Sequence, residues 1–304
     1  MSTPTSRQDG VRRTVNGVDL VYEEHGQGTP LLFIHGGYGG PSSTLWAGPR
    51  FPWYGPLPGL RTIAYDRRCA GQSGYVDDPF TLHDVANDAV GVLDALSIER
   101  AVVTASSAGG MVALELALAH PQRVDALVLV NTGAAIMHAD PLGVPGPPSP
   151  YVRDRLATVS QRRELLALFD REGMDVAVAS CWEEWRLPPP RDLDDAFADH
   201  RSALEASLTS APDIEIARLA AGAVLNMRAM VDVDFTPRLS EIATPTLVLH
   251  GDHDTVVPFE YGQVLGQLIP QADFQRVAGG GHGLLVLPDV QQSMVEWLRS
   301  IGAL

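Results

Sequence analysis

Four separated stretches carry the groups that can do chemistry together. In Val102-Val103-Thr104-Ala105-Ser106-Ser107-Ala108-Gly109-Gly110 a serine sits between a strand-like apolar run and the start of a helical one, with small residues on both sides. Only small side chains fit beside a sharp strand-to-helix turn, which holds the serine oxygen outward while the next backbone N–H, that of Ala108, points at the same spot. The spacing G-x-S-x-G fits Ser107, with Ala105 in place of the first glycine; Ser106 is the adjacent rival but does not lie two before Gly109. Serine, alanine and glycine also make ordinary tight turns, so Ser107 needs partners. Leu31-Leu32-Phe33-Ile34-His35-Gly36-Gly37-Tyr38-Gly39-Gly40-Pro41 runs an apolar segment straight into glycines. Such a loop can turn an N–H, here that of Gly37, toward the oxyanion of acyl transfer. It carries neither G-x-G-x-x-G nor G-x-x-x-x-G-K-[ST], so it is not a phosphate cradle of those kinds. The third stretch, His250-Gly251-Asp252-His253-Asp254, offers two acids, and Gly279-Gly280-Gly281-His282-Gly283 offers a histidine. A serine needs a base to take its proton, and the base needs an acid to fix its tautomer. The order Ser107, Asp254, His282 supplies both.

These residues need a scaffold that brings distant loops together. Val11 to Val15 and Val18 to Tyr22 flank Asn16-Gly17, which predicts a β-hairpin because both turn positions favour positive φ. Short apolar runs follow at Pro30 to Ile34, Thr62 to Tyr65, Ala101 to Thr104, Ala126 to Val130 and Thr246 to Leu249, as in strands buried on both faces. Between them lie helical patterns: Thr81 to Leu96 opens with a capping-box spacing at Thr81 and Asp84, and Ala108 to His120 stops at Pro121. Val290, Met294, Trp297 and Ile301 stripe a last helix. The alternation predicts an α/β fold with a mostly parallel sheet flanked by helices, its functional groups at the carboxyl ends of the strands. From 133 to 232 the alternation stops and only helical runs are visible, around Tyr151 to Trp185 and Asp192 to Met230. We read an α/β core of 1–132 and 233–304 with 133–232 inserted as an all-helical cap or lid.

Composition removes several other classes. The 304 residues hold 22 Lys+Arg and 37 Asp+Glu, a net charge of −15, which argues against a nucleic-acid binder or a protein held on an anionic membrane. Every one of the 22 is arginine, so chemistry that depends on a lysine is excluded. No run approaches a membrane span and the first thirteen residues have no apolar stretch, so the expected location is the cytoplasm. Cys69 and Cys181 are read as free thiols. The histidines are scattered without H-E-x-x-H, so neither a metal nor a cofactor is expected, and the partner is a small-molecule substrate. Oligomeric state has no reading in the sequence.

Taken together, the Ser107 turn, the His35-Gly36-Gly37 loop, the acid pair and His282 resemble the α/β-hydrolase superfamily, from about Val11 to Ile301 apart from the cap. The resemblance implies the α/β-hydrolase fold and, by position, Asp254 as the acid of G-x-x-D, Asp252 as its neighbour, and the N–H groups of Gly37 and Ala108 as the oxyanion hole. Asp66-Arg67-Arg68-Cys69-Ala70-Gly71-Gln72-Ser73 is similar to the family's D-x-R-G-x-G-x-S loop, with Cys69 where glycine is usual. Serine at the turn argues against the branches whose nucleophile is aspartate. What the resemblance then implies is a cofactor-independent serine hydrolase acting through an acyl-enzyme on a small to medium apolar ester or lactone. A partial similarity to the prolyl aminopeptidases, in the glycine loop and in Trp182-Glu183-Glu184-Trp185-Arg186, makes that activity the runner-up, and the sequence does not separate esters and lactones from amides, thioesters or the C–C bonds of diketones; Arg186 stands where that family places an amine-binding glutamate, and would instead suit a carboxylate. A receptor or lyase on the same fold is the alternative of another class. Candidate pocket residues are Tyr38, Ser106, Trp182, Trp185 and Arg186, with Trp46, Trp53 and Tyr54 opposite; the two cap tryptophans equally suit packing on the core. Arg67, Arg68 or Arg186 would supply local positive charge.

Overall fold

A computed structural model describes residues 10–38, 57–137, 150–181 and 212–304. Eight strands form one sheet: β1 (Val11–Val15), β2 (Val18–Gly26), β3 (Thr29–Ile34), β4 (Leu60–Asp66), β5 (Ala101–Ser106), β6 (Val124–Val130), β7 (Thr246–Gly251) and β8 (Ala272–Val277), in the order β1-β2-β4-β3-β5-β6-β7-β8. The β1–β2 and β2–β4 pairs are antiparallel and the remaining pairs parallel. The predicted hairpin is present, with Asn16 at φ 50° and Gly17 at φ 78° and Val15 opposite Val18.

Helices α1 (Leu82–Ala95), α2 (Ala108–Ala119), α6 (Phe259–Leu268) and α7 (Pro288–Ser300) belong to the alternating part of the chain. Thr81 and Asp84 close the capping box at the start of α1. Period-2 alternation splits the strands between two cores. Leu32, Ile34, Val103 and Ala105 pack with α1 and α2, whereas Leu31, Phe33 and Val102 pack with Met294, Trp297 and Leu298 of α7. Ile301 departs from its expected place: α7 ends at Ser300, and Ile301 stands 36% exposed just beyond it while Leu298 is buried.

Between β6 and β7 the described residues form α3 (Pro150–Glu172), α4 (Met174–Ser180) and α5 (Asp213–Met230). Helix α5 lies so close to the loop after β4 that a side chain at Gly222 would meet the Cys69 carbonyl oxygen at 2.2 Å. Asn226 of α5 donates to the Arg68 carbonyl at 3.2 Å. Cys69 adopts φ 56°, the left-handed conformation that explains the glycine expected there. Both cysteines are buried and neither is in a disulfide, and burial raises the Cys69 thiol above its usual pKa, which leaves it unreactive. Arg68, weighed as a source of charge for the site, is instead held by Asp88 of α1 through two hydrogen bonds of 2.6 and 2.7 Å.

Candidate active site

The carboxyl ends of the parallel strands β3 to β8 lie on one edge of the sheet, and Gly37, Ser107, Asp254 and His282 all lie in the loops that leave them. At the end of β5, Ser106 is still in register with Val130 and is buried. Ser107 then takes φ 52° and ψ −127°, and α2 begins at Ala108. A non-glycine residue in this region costs roughly 1–3 kcal/mol, and the surroundings hold it there. Thr132 Oγ1 donates to the Ser107 carbonyl at 2.6 Å, and the Gly110 N–H donates to the same oxygen at 2.9 Å. A side chain at Gly109 would meet the carbonyl oxygens of Ile34 and His35 at 2.3 and 2.5 Å, so the small residues around Ser107 are required by backbone packed on backbone. The first N–H groups of α2, that of Ala108 included, have no acceptor within the helix.

The loop after β3 is fixed from beneath. His35 is buried; its Nε2 accepts from the Arg67 N–H at 3.2 Å, so Nδ1 carries the proton and donates to the Gly36 carbonyl at 2.7 Å. Burial first, and the Arg67 charge second, lower its pKa to about 3, so the ring is neutral. Gly37 follows at φ 73°, and Arg67 Nη2 donates to its carbonyl oxygen. Arg67 is itself wholly buried, which pulls its pKa down to about 10 and leaves it charged at neutral pH. The loop presses on the serine turn: a side chain at Gly36 would lie 3.0 Å from Ser107 Cβ.

After β7, the carboxylate of Asp254 is buried and occupied at both oxygens. Oδ1 accepts from the N–H groups of Val256 and Val257 at 2.8 and 2.9 Å, and Oδ2 meets His282 Nδ1 at 2.8 Å. Burial pushes this carboxyl upward, but His282, His250 and the backbone donors outweigh it and hold it below its usual pKa. An ionised carboxylate only accepts, so Nδ1 of His282 carries the hydrogen and Nε2 is left to take a proton. His250, fully buried and kept neutral chiefly by burial, donates from Nε2 to the Val257 carbonyl at 2.8 Å and passes 3.6 Å from Asp254 Oδ2. Asp252 faces elsewhere: Arg276 Nε at 2.7 Å and the Gly279 N–H at 2.7 Å hold it.

Asn131, at the end of β6 with φ 48°, was not singled out in the sequence and joins the loops together. It donates to the Gly281 and His282 carbonyls at 2.9 and 2.7 Å and accepts from the Gly251 N–H at 3.0 Å. Its only sequence signal is a polar residue ending an apolar run.

A model described as the alpha/beta hydrolase fold matches residues 29–288. The chain belongs to the α/β-hydrolase fold family. A Caulobacter segnis protein named "Putative carbamate hydrolase RutD" is 31% identical over 280 residues, 90% of this chain and 92% of that one. "Non-heme chloroperoxidase CPO-A1" of Kitasatospora aureofaciens is 27% identical over 288 residues, 90% of this chain and 92% of that one. The solved structure of a thermophilic esterase from Thermogutta terrifontis is 26% identical, with a TM-score of 0.68, covering 97% of this chain and 99% of that one.

In this α/β hydrolase, Tyr38 lies beside Gly37 and meets the inserted helix α3: its Oη accepts from Arg155 at 3.2 Å, and the Arg162 guanidinium sits 4.8 Å over its ring. Ser106, named as a pocket residue, is instead buried in its strand. Trp182, Trp185 and Arg186, with Trp46, Trp53 and Tyr54, lie outside the described residues. Among the described residues, no helix is long and apolar enough to cross a membrane.

Proposed function

We propose that the protein is a cofactor-independent serine hydrolase that cleaves a small-molecule carboxylic ester or lactone through an acyl-enzyme. The observation that carries this reading is the buried Asp254 carboxylate bonded at 2.8 Å to His282 Nδ1, on the same sheet edge as the Ser107 turn. Ser107 Oγ attacks the carbonyl carbon while His282 Nε2 takes its proton, and Asp254 stabilises the imidazolium so formed. The tetrahedral oxyanion is received by the Ala108 and Gly37 N–H groups. Collapse expels the alcohol, to which His282 returns the proton; water, deprotonated by His282, then releases the acid and regenerates Ser107. Residues 133–232 act as the cap that covers this edge and excludes water. The esterase likeness supports ester chemistry, and the carbamate hydrolase likeness supports attack on an acyl carbon.

The test is labelling with a fluorophosphonate, read by intact mass and peptide mapping, with Ser107→Ala alongside. The expected result is one adduct on Ser107, absent from the variant, and turnover of a responsive ester lowered by roughly 10⁴ or more in that variant. A folded protein that takes no label, or a variant that keeps most of its activity, ends the serine mechanism.

A further inference from the structure

The charge around the loop after β3 is unusual for this molecule. The chain carries a net −15, and nine of its described arginines lie within ion-pairing distance of an Asp or Glu, from Arg61 with Glu24 to Arg276 with Asp252. Arg67 and Arg155 are the exceptions that are also buried: neither meets a carboxylate of the described residues. Arg155 is 4% exposed and donates from Nη2 to Tyr38 Oη and, at 2.6 Å, to the Ile136 carbonyl, while its Nε has no hydrogen-bond partner. Arg67 likewise has Nε and Nη1 without partners and directs only Nη2 to the Gly37 carbonyl. Arg162, seven residues after Arg155 on α3, brings a third guanidinium over the Tyr38 ring.

Burying a cation without an anion costs several kcal/mol, and a protein with surplus acids has no shortage of residues to pair it. Positive charge left unmatched beside an oxyanion loop is matched by what enters the site. A planar guanidinium fork suits a carboxylate, and the tyrosine hydroxyl beside it adds a neutral donor once its acceptor side is taken by Arg155. We propose that Arg155, with Tyr38 and Arg162 and with the charge of Arg67 behind them, forms a carboxylate-binding subsite next to Gly37, so that the substrate is an ester or lactone carrying a second, free carboxylate. The proposal deepens the hydrolase reading above and rests on it for the bond cleaved. It departs from the apolar substrate expected from the sequence: the acyl chain stays apolar and its far end is anionic. The positive α3 side and the N–H groups of Gly37 and Ala108 then hold the substrate at two points, which orients the carbonyl for Ser107.

The test compares two chain-matched esters, the 4-nitrophenyl hemiester of adipic acid and 4-nitrophenyl hexanoate, each followed to kcat and KM. The wild type is expected to favour the hemiester in kcat/KM by about tenfold or more, and Arg155→Gln to lower that ratio by about ten- to a hundredfold, chiefly through KM of the hemiester. A merely structural role for Arg155 lowers both esters together and leaves the ratio unchanged, which overturns the proposal; so does a wild type that prefers hexanoate. Arg162→Gln, on the same helix, gives a second variant with the same expected direction should Arg155→Gln fail to fold. Thermal-shift titration with adipate and with its neutral diamide separates the two readings. If no ester is cleaved but adipate alone raises Tm, and less so in either variant, the subsite stands and the hydrolytic reading falls. If neither ligand shifts Tm and neither ester is favoured, the subsite falls.

Discussion

A carboxylate that orients a histidine has to be desolvated, held at both oxygens and within reach of Nδ1. Of the two acids after β7, Asp254 meets these conditions, and Asp252 spends its oxygens on Arg276 and the Gly279 N–H. Asp254→Asn presents an amide that can donate as well as accept, so His282 is no longer held in the tautomer that leaves Nε2 as the base. The expected loss in kcat on any ester the wild type turns over is about 10³- to 10⁴-fold. Asp252→Asn removes one arm of an ion pair whose arginine is exposed, and the expected loss stays below about fivefold. Parallel kinetics on the two variants decide the matter, and the opposite ranking moves the acid's role to Asp252. The neighbouring serines part in the same way. Ser106 completes the register of β5 while Ser107 leaves it at positive φ, and the S-x-G spacing already distinguished them because the close approach of β3 backbone to α2 allows no side chain at Gly109.

Elements place these groups, and Asn131 shows how tightly. One side chain ties the end of β6 to Gly251, the last residue of the strand that leads to the acid, and to the carbonyl of His282 itself. Asn131→Ala leaves two carbonyls and one N–H without their partner, a cost of about 2–4 kcal/mol. It also loosens the loop that carries His282. Tm is expected to fall by several degrees, and kcat by about ten- to a hundredfold with KM little changed, because a base displaced by an ångström affects the transition state more than binding. A drop confined to Tm, with kcat intact, denies Asn131 this positioning role. The sequence could not reveal it, since one polar residue after an apolar run creates no period. It did reveal the elements whose signals are local: the Asn16-Gly17 turn, the Thr81/Asp84 box and the apolar runs of β3, β5 and β6. Helix α6 escaped notice because Gly262 and Gly266 weaken its helical pattern. Both are there because a side chain would strike His250 at 2.2 Å and Phe274 at 2.7 Å. Arg68 looked like site charge because its partner Asp88 lies twenty residues on, a pairing only the packing of α1 against the loop after β4 creates.

Across the whole molecule, the site is built on neutral buried histidines, and that gives folding a pH dependence of definite sign. His35 has an ordinary value of 6.5 in the unfolded chain and about 3 when folded, with burial as the main cause; His250 is lowered in the same direction, also by burial. Below pH 6.5 the unfolded chain takes up protons that the folded one refuses. Their contribution is therefore complete above pH 6.5 and erodes as pH falls below it, for His35 down to about 3 and at up to about 1.4 kcal/mol per pH unit. Asp254, held below its usual value, adds loss of the same sign at the acid end of that window. His35→Gln removes one titrating ring at the expense of the bonds to the Arg67 N–H and the Gly36 carbonyl, so it is expected to be less stable than the wild type at pH 8. The wild type alone pays for keeping that ring neutral in acid, so the difference in Tm between the two should narrow steadily from pH 6.5 to pH 4.5. Thermal melts of both proteins across that range measure it directly. A gap that stays constant with pH shows that His35 titrates alike in both states and is not sealed beneath the loop that carries Gly37.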